Sequence, residues 1–180
     1  MTQQRYDIAL LPTDQNLFSS ITAISRKYFL DVHDDYILGP EGLPHITLCQ
    51  FKTADVELAR RAYHGFLSNL DAKLFKVAIE KFNLRAGTLT NAGKFIAEYK
   101  IKPQEDLIDL QLKCAKVLAD FNINSLTPTQ TYSPHITLAR LSELPDKTPS
   151  KSDLIEMENI ETRLSLGLST EPGVFIEELR

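Results

Sequence analysis

Two stretches of the chain repeat one another, Pro44-His45-Ile46-Thr47-Leu48 and Pro134-His135-Ile136-Thr137-Leu138. Five consecutive residues are identical, ninety positions apart. On uniform composition, such a match in so short a chain has roughly one chance in a few hundred. Each copy holds one of the 4 histidines in the sequence. Near neutral pH an imidazole can accept a proton when neutral and donate one when charged. A threonine hydroxyl can donate to the non-bridging oxygens of a phosphate, where transition-state charge gathers. Two His-Thr pairs around one point therefore suit phosphoryl ester chemistry, with general acid-base steps contributing ~10²–10⁴-fold each. His33 and His64 lack a matching context and read as structural or solvated.

The pattern fits a β-strand. Alternation turns His45 and Thr47 to one face and Ile46 and Leu48 to the other, and does the same for His135 and Thr137 against Ile136 and Leu138. Each strand can then bury its Ile and Leu while presenting imidazole and hydroxyl to a cleft. Pro44 and Pro134 lack an amide donor and suit a strand start. Strict alternation also carries Cys49 and Phe51 onto the His45 face. Cys49 reads as a small buried filler. Phe51 is a candidate for stacking on a base.

These strands need a scaffold. A first strand is expected over 6–11, then a helix capped by Thr13 or Asp14 with Leu17, Phe18, Ile21, Ile24 and Tyr28 at helical spacing. Residues 31–42, rich in acids, glycine and proline, read as a loop. The first motif lies on a strand over 43–51. A second helix opens at Thr53 or Asp55 and lines Val56, Ala59, Tyr63, Phe66 and Leu70 along one face. Phe75, Val77 and Ile79 alternate with Lys76 and Glu80 as in one half-buried strand. Asn91 and Gly93 mark a turn into a strand carrying Phe95, Ala97, Tyr99 and Ile101. Pro103 suits the first position of a third helix, lined by Leu107, Leu110, Cys114, Val117 and Phe121. The second motif lies on a strand over 131–141. Beyond a polar connector, with a short helix near 153–157, Leu164, Leu166 and Leu168 alternate. Glu171, Pro172 and Gly173 then turn the chain toward a last strand over 174–178. The order predicts an α+β fold with mostly antiparallel sheet, not a doubly wound parallel sheet.

Composition narrows the partners. The chain has 180 residues, 43% hydrophobic and 24% charged, which suits one domain over 1–180 with a sizeable core. Its net charge of -4 and pI of about 5.6 lack the basic excess of a protein that grips long nucleic acid. A nucleotide or a strand end is the better fit. No Gly-rich phosphate loop is present. The two cysteines, Cys49 and Cys114, lack metal-type spacing and suggest a reduced, cytoplasmic setting. Neither a leader segment nor a run of transmembrane length is apparent.

The twice-repeated His-x-Thr resembles the signature of the two-histidine (2H) phosphoesterase superfamily. The stretch from Tyr132 through His135 and Thr137 to Arg140 is similar to the second motif of its bacterial RNA 2',3'-cyclic phosphodiesterase branch, also called 2'-5' RNA ligases. Strands, helices and closing segment fall in the family's order along nearly the whole chain. The resemblance implies a bilobed, pseudo-two-fold α+β fold with flanking helices and a central cleft. It implies His45 and His135 as catalytic residues, Thr47 and Thr137 as phosphate contacts, and no metal or other cofactor. Arg140 matches an arginine common in the branch and is a candidate for binding substrate. Strict alternation, however, turns Arg140 away from His135 unless the strand ends or bulges first. The first motif departs from the branch, reading Cys49-Gln50-Phe51 where many members have Phe-Leu-Gly.

The implied function is opening of 2',3'-cyclic phosphates, on RNA ends or small nucleotides, to 2'-phosphates by a monomer that engages neither DNA nor membrane. Cleavage of 2'-5' linked oligonucleotides or a cyclic ADP-ribose phosphate stays open beside it. So do a nucleotide-binding module without turnover and a metal hydrolase using the two histidines as ligands. The last lacks an adjacent carboxylate on either motif face.

Overall fold

The computed structural model describes residues 2–39, 42–88, 91–150, 153, 159–170 and 173–179. In chain order the elements are β1 (Gln4–Pro12), α1 (Gln15–Phe29), β2 (His33–Ile37), β3 (Ile46–Thr53), α2 (Val56–Ser68), β4 (Leu74–Val77), β5 (Ile79–Ala86), β6 (Phe95–Ile101), α3 (Glu105–Asp120), β7 (His135–Leu141), β8 (Ile160–Ser169) and β9 (Phe175–Glu178). The strands form two antiparallel sheets. One runs β3-β1-β8-β4, with β9 also on β8, and the other runs β2-β7-β6-β5. This is the expected α+β architecture, with one motif strand in each sheet.

Local chemistry sets the helix ends. The Asp14 carboxylate accepts from Asn16 N at 2.8 Å and that of Asp55 from Leu58 N at 3.0 Å, filling amides that the first turn leaves unpaired. In α3, Glu105 and Asp106 place negative charge at the N-terminus instead. Its cap is Gln104, so Pro103 stands one residue ahead of the cap and not at the first helical position. One apolar core runs through both sheets, with Ile8, Phe29, Ile46, Phe66, Tyr99, Leu110 and Leu138 all buried.

Two further expectations change. The expected loop over 31–42 contains strand β2, whose Tyr36 is buried while Asp34 and Asp35 are exposed and pair with Lys94 at 2.7 and 3.1 Å. Its acids mask a strand because β2 lies at a sheet edge, where charge is tolerated on the outer face. The single strand expected across Phe75 to Glu80 is two. Val77 pairs with Ile160 in the first sheet and Ile79 with Ile101 in the second, so the chain changes sheets at Ala78. Period-2 alternation continues across the change and gives no warning of it. The short helix expected near 153–157 and the turn at Glu171 and Pro172 lie outside the described residues, apart from Asp153; Gly173 is described, with φ +86.

Candidate active site

The two motif strands share a local irregularity. Along β1, Ile8 pairs with Cys49 and the next residue, Ala9, with Thr47, which leaves Leu48 as an extra residue in β3. Along β6, Ala97 pairs with Ala139 and Glu98 with Thr137, which leaves Leu138 extra in β7. A bulge therefore falls on the last residue of each repeat. A bulge interrupts the alternation and re-aims the side chains after it. Leu138 and Ala139 are both buried, as are Leu48 and Cys49. Gln50 and Arg140 return to the histidine face. The Leu138 carbonyl accepts from the buried Ser25 hydroxyl at 2.7 Å and from Leu38 N at 2.8 Å, so α1 and the end of β2 anchor the second bulge.

A cavity of about 320 Å³ results, lined by His45, Thr47 and Gln50 from one half and His135, Thr137 and Arg140 from the other. Tyr132 ties the halves together, its hydroxyl donating to the Thr47 carbonyl at 2.8 Å. Arg85, Asn91, Thr127, Thr131 and Ser133 add to its polar lining.

The two imidazoles are held alike. Nδ1 of His45 lies 2.7 Å from the Leu43 carbonyl and Nδ1 of His135 lies 2.8 Å from that of Ser133. A carbonyl only accepts, so each Nδ1 carries the hydrogen. Each Nε2 is then a lone pair when the ring is neutral and a donor when it is charged. Both Nε2 atoms also approach a fully buried carboxylate, His45 to Asp7 Oδ2 at 3.8 Å and His135 to Glu98 Oε2 at 3.9 Å.

The surroundings differ between the halves. His45 is 6% exposed and packs on the Phe175 ring at 5.3 Å. Burial pushes it down to about 4, opposed by the Leu43 carbonyl and aided by the charge of His135. Beside it, burial pushes Asp7 up to about 7, although Gln50 and Thr47 donate to Oδ2 at 3.1 and 2.9 Å. The His135 ring sits deep among protein atoms, but one edge meets solvent, leaving the side chain 33% exposed. Burial lowers its pKa, Glu98 and the Ser133 carbonyl oppose that, and Arg85 and Lys100 add to it; the net direction is down. Burial tends to raise Glu98, but His135, Asn83, Arg85 and Lys100 outweigh it and hold this carboxyl below its usual range.

Of the six residues singled out from sequence, five line the cavity and Phe51 does not. Phe51 is fully buried and stacks on Tyr6 at 5.6 Å, because the bulge at Leu48 turns it into the core. It is not placed to stack on a base. Cys49 moves likewise, its Sγ 3.9 Å from Gln111 O of α3 and not on the His45 face. Arg140 arrives by the bulge that strict alternation lacks. Its guanidinium lies over the Tyr36 ring at 5.2 Å, with Nη1 3.6 Å from Asp35 Oδ1. Sequence reasoning missed Asp7, Gln50, Arg85 and Glu98. Asp7 did carry a signal, as a lone carboxylate inside an apolar strand. Among the described residues no group of three or more His, Cys, Asp or Glu is arranged to hold a metal ion. Nor is any described helix long and apolar enough to cross a membrane.

No protein-family model and no curated protein sequence matches the chain. Solved structures do. E. coli LigT in apo form matches with a TM-score of 0.64 at 16% identity, over 100% of this chain and 96% of that one. E. coli LigT complexed with 3'-AMP matches with a TM-score of 0.58 at 16% identity, over 99% and 97%. The MHV ns2 PDE domain matches with a TM-score of 0.53 at 13% identity, over 91% and 99%. At these identities the shared property is the fold, and it is the 2H phosphoesterase fold.

Proposed function

We propose that this chain, built on the 2H phosphoesterase fold, is a metal-independent phosphodiesterase that opens 2',3'-cyclic phosphates of RNA ends or small nucleotides to 2'-phosphates. The carrying observation is the matched pair of imidazoles, each fixed through Nδ1 and each lining one cavity. A neutral Nε2 takes the proton of an attacking water, and a charged Nε2–H gives one to the departing 3' oxygen. Proton transfer between two imidazoles and a phosphodiester needs no Lewis acid. The hydroxyl of Thr137 has no partner among the described residues and can donate to a non-bridging oxygen, with the Arg140 guanidinium as the nearby positive charge. Thr47 presents its hydroxyl to Asp7. A protonated Asp7 can donate in the reverse sense and free the threonine hydrogen for the phosphate. A cavity of about 320 Å³ lies at the lower end of the ~300–1,000 Å³ common for small-molecule sites. That size favours a mononucleotide or one terminal nucleotide. The LigT complex with 3'-AMP lends support, since a neighbour of the same fold holds a nucleotide.

The test is incubation with 2',3'-cyclic mononucleotides, cyclic-phosphate RNA ends, 2'-5' linked oligonucleotides and a cyclic ADP-ribose phosphate, with products separated as 2'- or 3'-phosphates. Turnover is expected to persist in excess chelator. His45→Ala and His135→Ala are each expected to lose ~10²–10⁴-fold in kcat/KM. Full activity in both variants refutes the reading.

A further inference from the structure

Two buried carboxylates flank the histidines at nearly equal distances, but their wiring is unlike. Glu98 accepts from Asn83 Nδ2 at 2.9 Å and pairs with Lys100 Nζ at 3.1 Å through Oε1, while Oε2 pairs with Arg85 Nε at 3.1 Å. Oε2 is also the atom facing His135 Nε2. Its ligands come from β5 and β6 and fix a charged group in place. Among the described residues, Asp7 Oδ2 accepts hydrogen bonds only from the neutral donors Thr47 and Gln50. Its Oδ1 is buried with no hydrogen-bond partner among the described residues. Arg5, on the same strand, is the cation acting on Asp7, and it counts for less than those two hydrogen bonds.

Resting on the phosphodiesterase reading above, we infer that Glu98 is a positioning residue that makes His135 the proton donor of the pair and leaves His45 the acceptor. A fixed anion beside an imidazole favours its charged form. The groups facing His135 are Glu98 and Lys100 from β6, Arg85 from β5, Arg140 further along its own strand, and from the other half His45, itself beside Asp7. Glu98 is the anion closest to it. His135 also reaches solvent, where an imidazolium is tolerated, whereas His45 is walled in beside a carboxyl whose ionisation burial opposes. In the step, a water oxygen bonds to phosphorus and its proton passes to Nε2 of His45. The bond from phosphorus to the 3' oxygen breaks, and that oxygen takes the Nε2 proton of His135. One proton enters the pair and one leaves, and exchange with solvent restores the starting state.

Glu98→Gln tests this by removing the charge while keeping shape and an acceptor. The His135 titration, followed through its ring protons by NMR, is expected to fall by roughly one pH unit or more while that of His45 stays. The alkaline limb of kcat/KM on a 2',3'-cyclic nucleotide should shift by the same amount, about tenfold in rate on that limb. KM should change little. Arg85→Gln, on a side chain 39% exposed, should shift both readouts the opposite way. An unmoved His135 titration, or movement of the acidic limb in its place, overturns the inference. Absence of turnover on every substrate with a normal His135 shift refutes the phosphodiesterase reading, and not the hold of Glu98 on His135.

Discussion

Replacing Asp7 with asparagine separates the cost of its buried charge from the value of its hydrogen bonds. The Asp7 carboxyl stands at about 7 against an ordinary 3.8. A group raised in the folded state contributes stability that is fully present below its unfolded pKa and is lost as pH rises through its folded pKa. At about 1.4 kcal/mol per pH unit, roughly three pH units make that loss about 4 kcal/mol between pH ~4 and pH ~7. Thr47 and Gln50 both donate to Oδ2, so one amide oxygen can accept both. The amide nitrogen would then occupy the place of Oδ1, which has no partner, at a cost of about 1–3 kcal/mol. Asp7→Asn should therefore be less stable than the parent by about 1–3 kcal/mol near pH 3, close to the parent near pH 5, and more stable by about 1–3 kcal/mol at pH 9. His45 is depressed and contributes the opposite slope between its folded value of about 4 and its unfolded 6.5, but it does so in both proteins and cancels from the difference. Urea unfolding of both proteins at several pH values measures the crossing. Parallel stability curves, with one offset at all pH values, would refute the argument.

Phe51→Ala should cost about 3–5 kcal/mol in chemical unfolding and leave KM unchanged at a temperature where the variant is folded, since its ring packs on Tyr6 and not on substrate. Activity should hold as pH falls until about 4, where His45 takes a proton and ceases to act as a base, so the acidic limb of kcat/KM should lie well below an ordinary histidine pKa. An acidic limb near 6.5 would show that His45 is not held neutral by its burial.

Much of the site was legible because the repeat marks it twice. Identity, spacing and strand period together brought His45, Thr47, His135 and Thr137 to one cavity. What the period missed are the departures from it. Leu48-Cys49 and Leu138-Ala139 each set two apolar residues side by side before a polar Gln50 or Arg140. That doublet is what a bulge looks like in sequence, and it decides the fates of Phe51 and Arg140. Glu98 stood on the face opposite Ala97 and Tyr99, so its side of β6 was readable. Its approach to His135 was not, because pairing of β6 with β7 spans more than thirty residues of chain. Strand β2 escaped because an edge strand exposes its acids and buries little.

The sheet order also bears on how the chain folds. β5, β6 and β7 lie within 79–141, whereas β1 takes as one neighbour β8, from 160–169. The half that carries His135 can thus assemble most of its sheet from one central stretch of chain. The half that carries His45 must wait for a partner near the far end of the chain, and closing so long a loop is slow. Until β8 docks, one edge of β1 is open to strand pairing, and an acidic side chain, Asp7, sits in the middle of that strand. A charge at an unpaired edge discourages association between partly folded chains. In the open strand the Asp7 carboxyl is not yet buried, so it carries an ordinary carboxylate charge where the folded protein opposes one.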